Sequence, residues 1–439
     1  MPKDITIHIE NFGPIREPAQ ITLRPFMIFS GVSGTGKSYV AMLVHFVYRV
    51  LCGEELISFF TEITGGKSIL IPGAITGDNG KVYSVGKYDF SEWVDRRAVS
   101  YMQEMLGNQE FSAKIHIEFP DLKDTFEYNY REGRLSMGDD NNDQQQMGFL
   151  SLSGVEDSLK FPVEILSDVG VIPFSLLLSR YLRDLYELQP SMTLFLPPSR
   201  GALISLPDDA RGILSKSGGM YQEFVTDMQE LKRLRPRRDE KVSEACHIVQ
   251  EDVLKGSIDV VDNELYYNTG SLPTPLPITA AASSIKEVAP FALLMQKGWL
   301  PYVSTLFEEP ESHLHPHLQM KVADILGFAV AEGARIQITT HSDYLLRRIS
   351  DLIRLSLLAD QYNDKEKFID FCRKYSFYPE AAIKPEDVAA YFHAYDKVAA
   401  SVIVKRQDVS RGIPFDTFEG VVENEMRNSF ILMDETDVF

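Results

Sequence analysis

A glycine-rich segment near the N-terminus has the residue types and spacing of a phosphate-binding loop. The segment GVSGTGKS (residues 31–38) follows an apolar run that predicts a buried strand, and residues 39–52 have the length and composition of a helix. A glycine-rich turn between a strand and a helix directs backbone amides at an anion, while the lysine adds charge and the serine hydroxyl can bind Mg²⁺. The predicted phosphate ligands are Gly31, Ser33, Gly34, Thr35, Gly36, Lys37 and Ser38, with Ser38 also on the metal.

Two adjacent acidic residues follow about 270 residues further along the chain. A short apolar strand predicted at residues 303–307 ends at Glu308 and Glu309, within LFEEPESHLHP. One carboxylate at such a strand end can hold Mg²⁺ through water, and the next can orient and deprotonate an attacking water. We predict Glu308 as the metal ligand and Glu309 as the general base. Acidic residues also suit the first turn of a helix, and a helix beginning at Pro310 is compatible with both roles.

A histidine stands at the end of the next predicted strand. The β-branched run RIQITT (residues 335–340) is followed by His341. A histidine at this position can reach a γ-phosphate and respond to its loss, although a lone histidine is more often structural. We predict that His341 takes part in catalysis together with Lys37 and Glu309.

These segments together resemble the ABC-type ATPases of the SMC-like and OLD (overcoming lysogenization defect) group. GVSGTGKS resembles the Walker A motif, LFEEPESHLHP the Walker B motif and D-loop, ITTHSDYLL the switch-histidine strand, and LFLPPSRG (residues 194–201) a further strand and loop of the group. The resemblance implies an α/β fold, an ABC-type P-loop ATPase head with a β-rich N-terminal subdomain, a short helical arm insertion and a helical C-terminal region. It also implies ATP and Mg²⁺ as cofactors, with hydrolysis of ATP to ADP and phosphate.

The resemblance further implies a signature motif shortly before the Walker B strand. The candidate is AAASSIKEVAPF (residues 280–291), in which Ser283 and Ser284 would contact nucleotide and Glu287 matches the acidic position. The glycine of the group is absent, either replaced by Ile285 or deleted. A β-branched side chain would crowd the approach to a γ-phosphate bound by a second subunit, so closure driven by ATP is either weak or uses the two serines alone. The alternative is an ordinary serine helix cap. No glutamine of this sequence can be matched to the Q-loop glutamine of the group.

Composition narrows the classes of protein. The net charge is −19, from 63 acidic and 44 basic residues, which argues against a chain that coats nucleic acid over its whole surface. Cys52, Cys246 and Cys372 have no CxxC spacing, so neither a disulfide framework nor a zinc site is predicted and a reducing cytoplasm is favoured. No signal-peptide pattern opens the chain, and its longest apolar run is too short to span a membrane. We expect a cytoplasmic protein without a membrane partner.

Composition shifts predict four regions. Residues 1–205 and 257–350 form the two parts of the ATPase head, residues 206–256 a short helical arm, and residues 351–439 a mainly helical C-terminal region. Within the arm, a helical pattern at residues 221–234 ends in a basic cluster that either contacts nucleic-acid phosphates or complements a helix dipole. The cluster comprises Lys232, Arg233, Arg235, Arg237 and Arg238.

Three local predictions concern the β-rich region and the C-terminal region. Residues 114–119 and 125–130 predict a hairpin, residues 384–395 a helix with Pro385 in its first turn, and residues 401–405 a strand. OLD nucleases carry a Toprim domain after the ATPase, with an Asp-x-Asp motif after an apolar strand. No such motif is present in the C-terminal region, so no fused nuclease is predicted.

The resemblance implies a regulatory or sensor subunit of bacterial anti-phage defence or genome maintenance. Two heads would pair face to face, and a separately encoded effector such as a nuclease would be controlled. Two alternatives remain open: a repair or recombination ATPase that binds DNA directly through the basic cluster, and a nucleotide-gated scaffold that does not hydrolyse ATP.

Overall fold

The computed structural model describes residues 4–65, 75–77, 80–136, 144–163, 170–206, 212–213, 218–237, 244–396, 400–414, 426–427 and 431. Its helices are α1 (Lys37–Cys52), α2 (Leu56–Ile63), α3 (Lys87–Leu106), α4 (Ile172–Leu185), α5 (Arg200–Leu203), α6 (Met220–Arg233), α7 (Glu244–Ile248), α8 (Ser283–Gln296), α9 (Pro316–Ala331), α10 (Asp343–Ala359) and α11 (Lys365–Lys374). Its strands are β1 (Thr6–Glu10), β2 (Ala19–Thr22), β3 (Phe26–Gly31), β4 (Ile75–Gly77), β5 (Gly80–Gly86), β6 (Lys114–Glu118), β7 (Thr125–Ser136), β8 (Gln144–Leu152), β9 (Leu159–Pro162), β10 (Met192–Leu196), β11 (Ser257–Val261), β12 (Glu264–Asn268), β13 (Leu276–Pro277), β14 (Val303–Glu308), β15 (Arg335–Thr340), β16 (Val388–Asp396) and β17 (Ser401–Arg406).

A six-stranded sheet in the order β10-β14-β15-β3-β16-β17 forms the centre of the fold. All neighbouring pairs are parallel except β16 and β17, which are antiparallel. Every residue of β14 is buried, as expected of a central parallel strand that helices cover on both faces. The carboxyl ends of β3, β14 and β15 therefore meet at one edge, where the three predicted motifs lie.

The N-terminal half of the chain also forms smaller antiparallel sheets. β1 pairs with β2 and β6, and its isoleucines Ile7 and Ile9 are buried as their alternation with polar residues predicts. A second sheet has the order β4-β5-β7-β8-β9. The predicted hairpin of residues 114–119 and 125–130 is wrong, because these segments form β6 and β7 in different sheets. β6 pairs with β1, about 100 residues earlier, whereas β7 pairs with β5 and with the next strand, β8.

The C-terminal region departs from the prediction of a mainly helical segment. The predicted helix at residues 384–395 is wrong: Pro385–Asp387 form a single 3₁₀ turn, and the chain then enters β16, which pairs with β3. The predicted strand at residues 401–405 is confirmed as β17. The proline and acids do mark a turn, but burial beside β3 makes the following residues extended. No helix in the described part of the chain is long and apolar enough to cross a bilayer.

Candidate functional site

The glycine-rich loop joins β3 to α1, as predicted. Gly34 and Gly36 have φ angles of 77° and 79°, a region that residues with a side chain rarely adopt. Gly36 precedes α1, and no side chain caps the helix. The first amide groups of α1 therefore remain available for an anion, in line with the positive end of the helix dipole. The side chain of Ser33 lies exposed on this loop.

Lys37 is folded back over the loop. Its Nζ donates hydrogen bonds to the carbonyl oxygens of Gly31 and Val32, at 3.1 and 2.9 Å. Burial lowers the pKa of Lys37, and the carboxylates of Glu309 and Glu308 partly oppose this. The ammonium group is thus held among acidic groups at the loop, where a nucleotide phosphate would compete for it.

Glu308 ends β14 and is buried. The Ser38 hydroxyl donates a hydrogen bond to its carboxylate, and burial raises the pKa of Glu308 to about 7. Its Oε1 atom is buried and has no hydrogen-bond partner among the described residues. A carboxylate oxygen and a hydroxyl in contact are the hard oxygen donors that Mg²⁺ takes. The residues present therefore fit a magnesium ion held by Ser38 and Glu308.

Glu309 leaves the strand with a left-handed backbone, at φ 44°. Its amide donates to the carbonyl oxygen of Thr339 at 2.9 Å, and its Oε2 accepts from the Ser312 hydroxyl at 3.1 Å. A non-glycine residue in this conformation costs about 1–3 kcal/mol, which neighbouring contacts must offset. The side chain is half-buried, and its carboxylate lies close enough to Lys37 to raise the pKa of the lysine.

Glu311 connects the acidic segment to the histidine strand. Its Oε1 accepts hydrogen bonds from the Thr340 hydroxyl at 2.7 Å and from the His341 amide at 2.8 Å. Burial lowers the pKa of His341, and the charge of Lys37 lowers it further, so the ring is neutral at pH 7. The structure thus brings Lys37, Glu309 and His341 to one edge of the sheet, as the spacing predicted.

Arg200 supports the acidic segment from inside the protein, a role the sequence did not reveal. The side chain is fully buried, and its guanidinium lies 4.5 Å from the Phe307 ring centroid. It donates to four carbonyl oxygens, of Glu308 (2.7 Å), Glu287 (2.8 Å), Pro197 (2.9 Å) and Glu309 (3.2 Å). Desolvation lowers its pKa to about 10. The segment LFLPPSRG indicated a strand and loop, but no local pattern marks a buried arginine.

A second unpredicted residue, His393, reaches the loop from β16. Its ring is fully buried, and Nδ1 lies 3.0 Å from the carbonyl oxygen of Thr35. The histidine was missed because its segment was predicted as a helix.

The predicted signature residues lie at the first turn of α8. Ser283 is exposed and Ser284 half-buried, and no hydrogen bond within the described residues joins either serine to the phosphate loop. The residue preceding the helix is Ala282, which has no capping side chain, so the alternative of a serine cap is wrong. The two serines do not complete the site of their own chain.

Part of the predicted basic cluster makes contacts within the folded protein. Lys232 is buried and donates to the carbonyl oxygen of Asn263 at 2.8 Å. The guanidinium of Arg237 lies 3.9 Å from the centroid of the Tyr302 ring. Arg233 and Arg235 are exposed, and Arg238 lies outside the described residues.

The sheet order and the grouping of phosphate loop, paired carboxylates and histidine define the class: the chain has the fold and site of a P-loop ATPase. The model of a family described as "AAA domain, putative AbiEii toxin, Type IV TA system" matches residues 278–347, which run from the signature segment through β14 to the start of α10. No relative was found among the curated proteins.

Solved SMC heads are similar over nearly the whole chain. A structure titled as an SmcHead bound to the C-winged helix domain of ScpA has 12% identity, a TM-score of 0.38, and coverage of 93% of this chain and 98% of its own. The SMC head domain from Thermotoga maritima has 9% identity, a TM-score of 0.32, and coverage of 92% and 98%. The Smc head with an extended coiled coil, bound to the C-terminal domain of ScpA and derived from Pyrococcus furiosus, has 11% identity, a TM-score of 0.35, and coverage of 97% and 100%. These similarities are low, so the class rests on the site and the family model.

Proposed function

We propose that this protein binds ATP with Mg²⁺ and hydrolyses it, and that nucleotide state controls its association with a second copy and with an effector. One observation carries the proposal. A phosphate loop with an uncapped helix, an unpartnered buried carboxylate oxygen beside Ser38, and a half-buried Glu309 meet at one sheet edge. Each element of this arrangement has a role in phosphoryl transfer to water.

The residues of the site have separate roles in binding and hydrolysing ATP. The loop amides and Lys37 bind the phosphates, and Lys37 exchanges its two carbonyl partners for phosphate oxygens. Glu309 accepts a proton from the attacking water and orients it, because its carboxylate is held on the open side of the acidic segment. Neutral His341 donates a hydrogen bond toward the γ-phosphate. A Mg²⁺ held by Ser38 and Glu308 would neutralise charge on the phosphates.

A second copy completes the site in this proposal. Ser283 is exposed at the N-terminus of α8, where unsatisfied amides and the helix dipole favour an anion. Because neither signature serine contacts its own phosphate loop, we assign both to the nucleotide bound by the opposite head. The group's glycine is either replaced by the half-buried Ile285 or deleted, and a β-branched side chain at its position would narrow this approach.

The effector is the less constrained part of the proposal. The description of the matching family names a toxin of a type IV TA system. Together with the resemblance to the SMC-like and OLD group, this supports a regulatory or sensor subunit of anti-phage defence that acts on a separately encoded protein such as a nuclease. Purification with the product of a neighbouring gene, in ATP and in ADP, tests it. Absence of association in both nucleotides would remove the effector from the proposal.

The primary test is ATP turnover by the wild type beside Glu309→Gln. Phosphate release should fall at least about a hundredfold in the variant, a loss in the range of a missing general base, while ATP binding is kept. ATP should also trap the variant in a larger assembly by mass measurement. The control is Glu127→Gln, the same chemical change at an exposed position of β7, which should hydrolyse ATP like the wild type.

The same measurement separates the second candidate function. Ile285 at the signature favours a nucleotide-gated scaffold that holds ATP without turnover. Tight ATP binding with no phosphate release by the wild type would support the nucleotide-gated scaffold and contradict the assignment of Glu309 as the general base. Equal turnover by wild type and Glu309→Gln would likewise contradict that assignment.

A further inference from the structure

The strand β16 lies directly against the first residue of the phosphate loop. The register pairs His393 with Gly31 at the point where β3 ends. Gly31 has φ 126°, and a Cβ atom there would meet the carbonyl oxygen of His393 at 2.2 Å. The backbone of β16 is therefore closer to the loop than any side chain at residue 31 would allow.

The His393 side chain continues this contact into the loop. Its ring is fully buried and packs edge-on against Phe29, with centroids 6.1 Å apart. Nδ1 lies 3.0 Å from the carbonyl oxygen of Thr35, and since a carbonyl accepts only, Nδ1 must carry the hydrogen. Burial lowers the pKa of His393 to about 4, which keeps the ring neutral. Nε2 then presents a lone pair, and it has no partner among the described residues.

The contact determines the direction of a peptide plane in the loop. Thr35 lies between two glycines with left-handed backbones, and its hydroxyl donates to the carbonyl oxygen of Val32 at 2.6 Å, whereas the contact with His393 acts on its own carbonyl group. In a planar trans peptide the carbonyl of one residue and the amide N–H of the next point in opposite directions. Holding the Thr35 oxygen against His393 therefore turns the Gly36 N–H to the other side of the loop, away from β16.

We propose that His393 is a positioning residue for the phosphate loop, which it holds with the Gly36 amide directed at the bound phosphates. The inference rests on the proposed function and deepens it, because it makes the C-terminal hairpin of β16 and β17 part of the nucleotide site. His393 does not touch the nucleotide. It lowers the cost of ordering a glycine-rich loop when the anion binds.

The test compares two substitutions of His393 that differ in one donor. His393→Asn places an amide N–H close to the position of Nδ1, whereas His393→Leu removes the donor and keeps an apolar side chain. Tyr391→Phe is the control on the same strand, because it removes a buried hydrogen bond from the Thr22 amide (2.7 Å) without touching the loop. ATP and ADP affinities are measured by calorimetry below the unfolding temperature of each variant.

We expect the leucine variant to lose about tenfold in affinity for both nucleotides, the size of one net hydrogen bond. The asparagine variant should recover to within about threefold of the wild type, and the tyrosine variant should bind like the wild type even if it melts earlier. Wild-type affinity in the leucine variant would overturn the inference alone. An equal loss of nucleotide affinity in all three variants would also overturn the inference, because such a loss would reflect lower stability of the fold and not a contact with the loop. A wild type that binds no nucleotide would overturn both the inference and the proposed function.

Discussion

The two oxygens of the Glu308 carboxylate have different surroundings, and this makes the residue sensitive to pH. One side is near the Ser38 hydroxyl, whereas Oε1 is buried without a partner. Burial favours the protonated form of this carboxylate more strongly than the charges of Arg200 and Lys37 oppose it, which is why the pKa is raised to about 7 from the ordinary 4.5. The folded protein binds this proton more tightly than the unfolded chain does.

Stability without nucleotide or metal should therefore fall as pH rises from 4.5 to 7. The folded state holds the proton over that range and the unfolded state does not, so raising the pH favours unfolding. We expect the free energy of unfolding of the wild type to fall by about 3 kcal/mol relative to that of Glu308→Gln over this pH range. The figure follows from the pKa shift at about 1.4 kcal/mol per pKa unit. Denaturant titrations of both proteins at several pH values measure the difference. Parallel pH profiles would contradict the assignment of this shift to Glu308.

Arg200 is a buried cation whose partners are mostly carbonyl oxygens. Its Nε also lies 3.4 Å from Glu287 Oε2, an ion pair that lacks hydrogen-bond geometry. Because Glu287 is itself only 2% exposed, loss of the arginine would leave a buried carboxylate uncompensated. The carbonyl groups of Glu308 and Glu309 would lose their donor at the same time.

We predict that Arg200→Met costs about 3–5 kcal/mol of stability and also lowers turnover. Adding Glu287→Leu should restore a large part of the stability, because no buried charge then remains. Turnover should stay low in the double variant, since the segment before Glu309 still lacks its support. Urea titration and phosphate release on the single and double variants give the complete cycle. Recovery of turnover together with stability would show that Arg200 serves the fold alone.

At the scale of elements, the phosphate loop is enclosed by the C-terminal hairpin as well as by β3 and α1. Gly31 and Gly34 belong to the same loop but meet different surroundings. A Cβ at Gly31 meets the backbone of β16, whereas a Cβ at Gly34 meets nothing within 4 Å. Both have positive φ angles, so the pair separates steric exclusion from backbone strain.

Gly31→Ala should therefore lower the stability of the protein far more than Gly34→Ala does. The alanine at residue 34 incurs backbone strain of about 1 kcal/mol, whereas the alanine at residue 31 must also displace β16, and we expect a total of about 3 kcal/mol or more. Equilibrium unfolding in urea measures both. Similar losses for the two variants would mean that β16 is not packed against the loop as described.

The arm helix α6 is joined to the helix that follows the loop. Glu223 of α6 accepts hydrogen bonds at Oε1 from Arg49 of α1 at 3.1 Å and lies 2.9 Å from Nε2 of His45. At the other end of α6, the Lys297 ammonium binds the carbonyl oxygens of Leu231, Lys232 and Leu234 at 2.7–2.9 Å. The predicted arm helix is thus bound to α1 near one end and to the residue that follows α8 at the other.

At the scale of the whole molecule, association must overcome like charge. Each copy carries a formal net charge of −19, so two copies repel and salt weakens that repulsion. In the proposed pairing the signature serines face the opposite head, so their mutation should separate pairing from nucleotide binding.

We predict that Ser284→Arg prevents ATP-dependent assembly while ATP affinity of the single copy changes less than about twofold, since added charge and bulk obstruct the facing head only. Mass measurement with and without ATP, in the Glu309→Gln background, reads out the effect. Ser58→Arg, at an exposed position of α2, is the matched control and should assemble normally. Assembly by both arginine variants would place the pairing surface elsewhere.

The sequence alone determined the local part of the site. The phosphate loop is contiguous in sequence, so spacing predicted the turn between β3 and α1. The buried strands β14 and β15 are short apolar runs with polar residues at their ends, and parallel strands place such ends together. For these reasons the grouping of Lys37, Glu308, Glu309 and His341 was readable without coordinates.

Only the tertiary structure decided what surrounds that site. Residues 388–396 contain alanines, aromatics and a histidine that suit either a helix or a strand, and pairing with β3 more than 350 residues earlier selected the strand. Arg200 and His393 reach the motifs from distant segments, and no periodicity marks a side chain whose partners are backbone carbonyl groups. Local patterns encode contacts between neighbours in sequence, whereas these contacts form only after the sheet has brought both ends of the chain together.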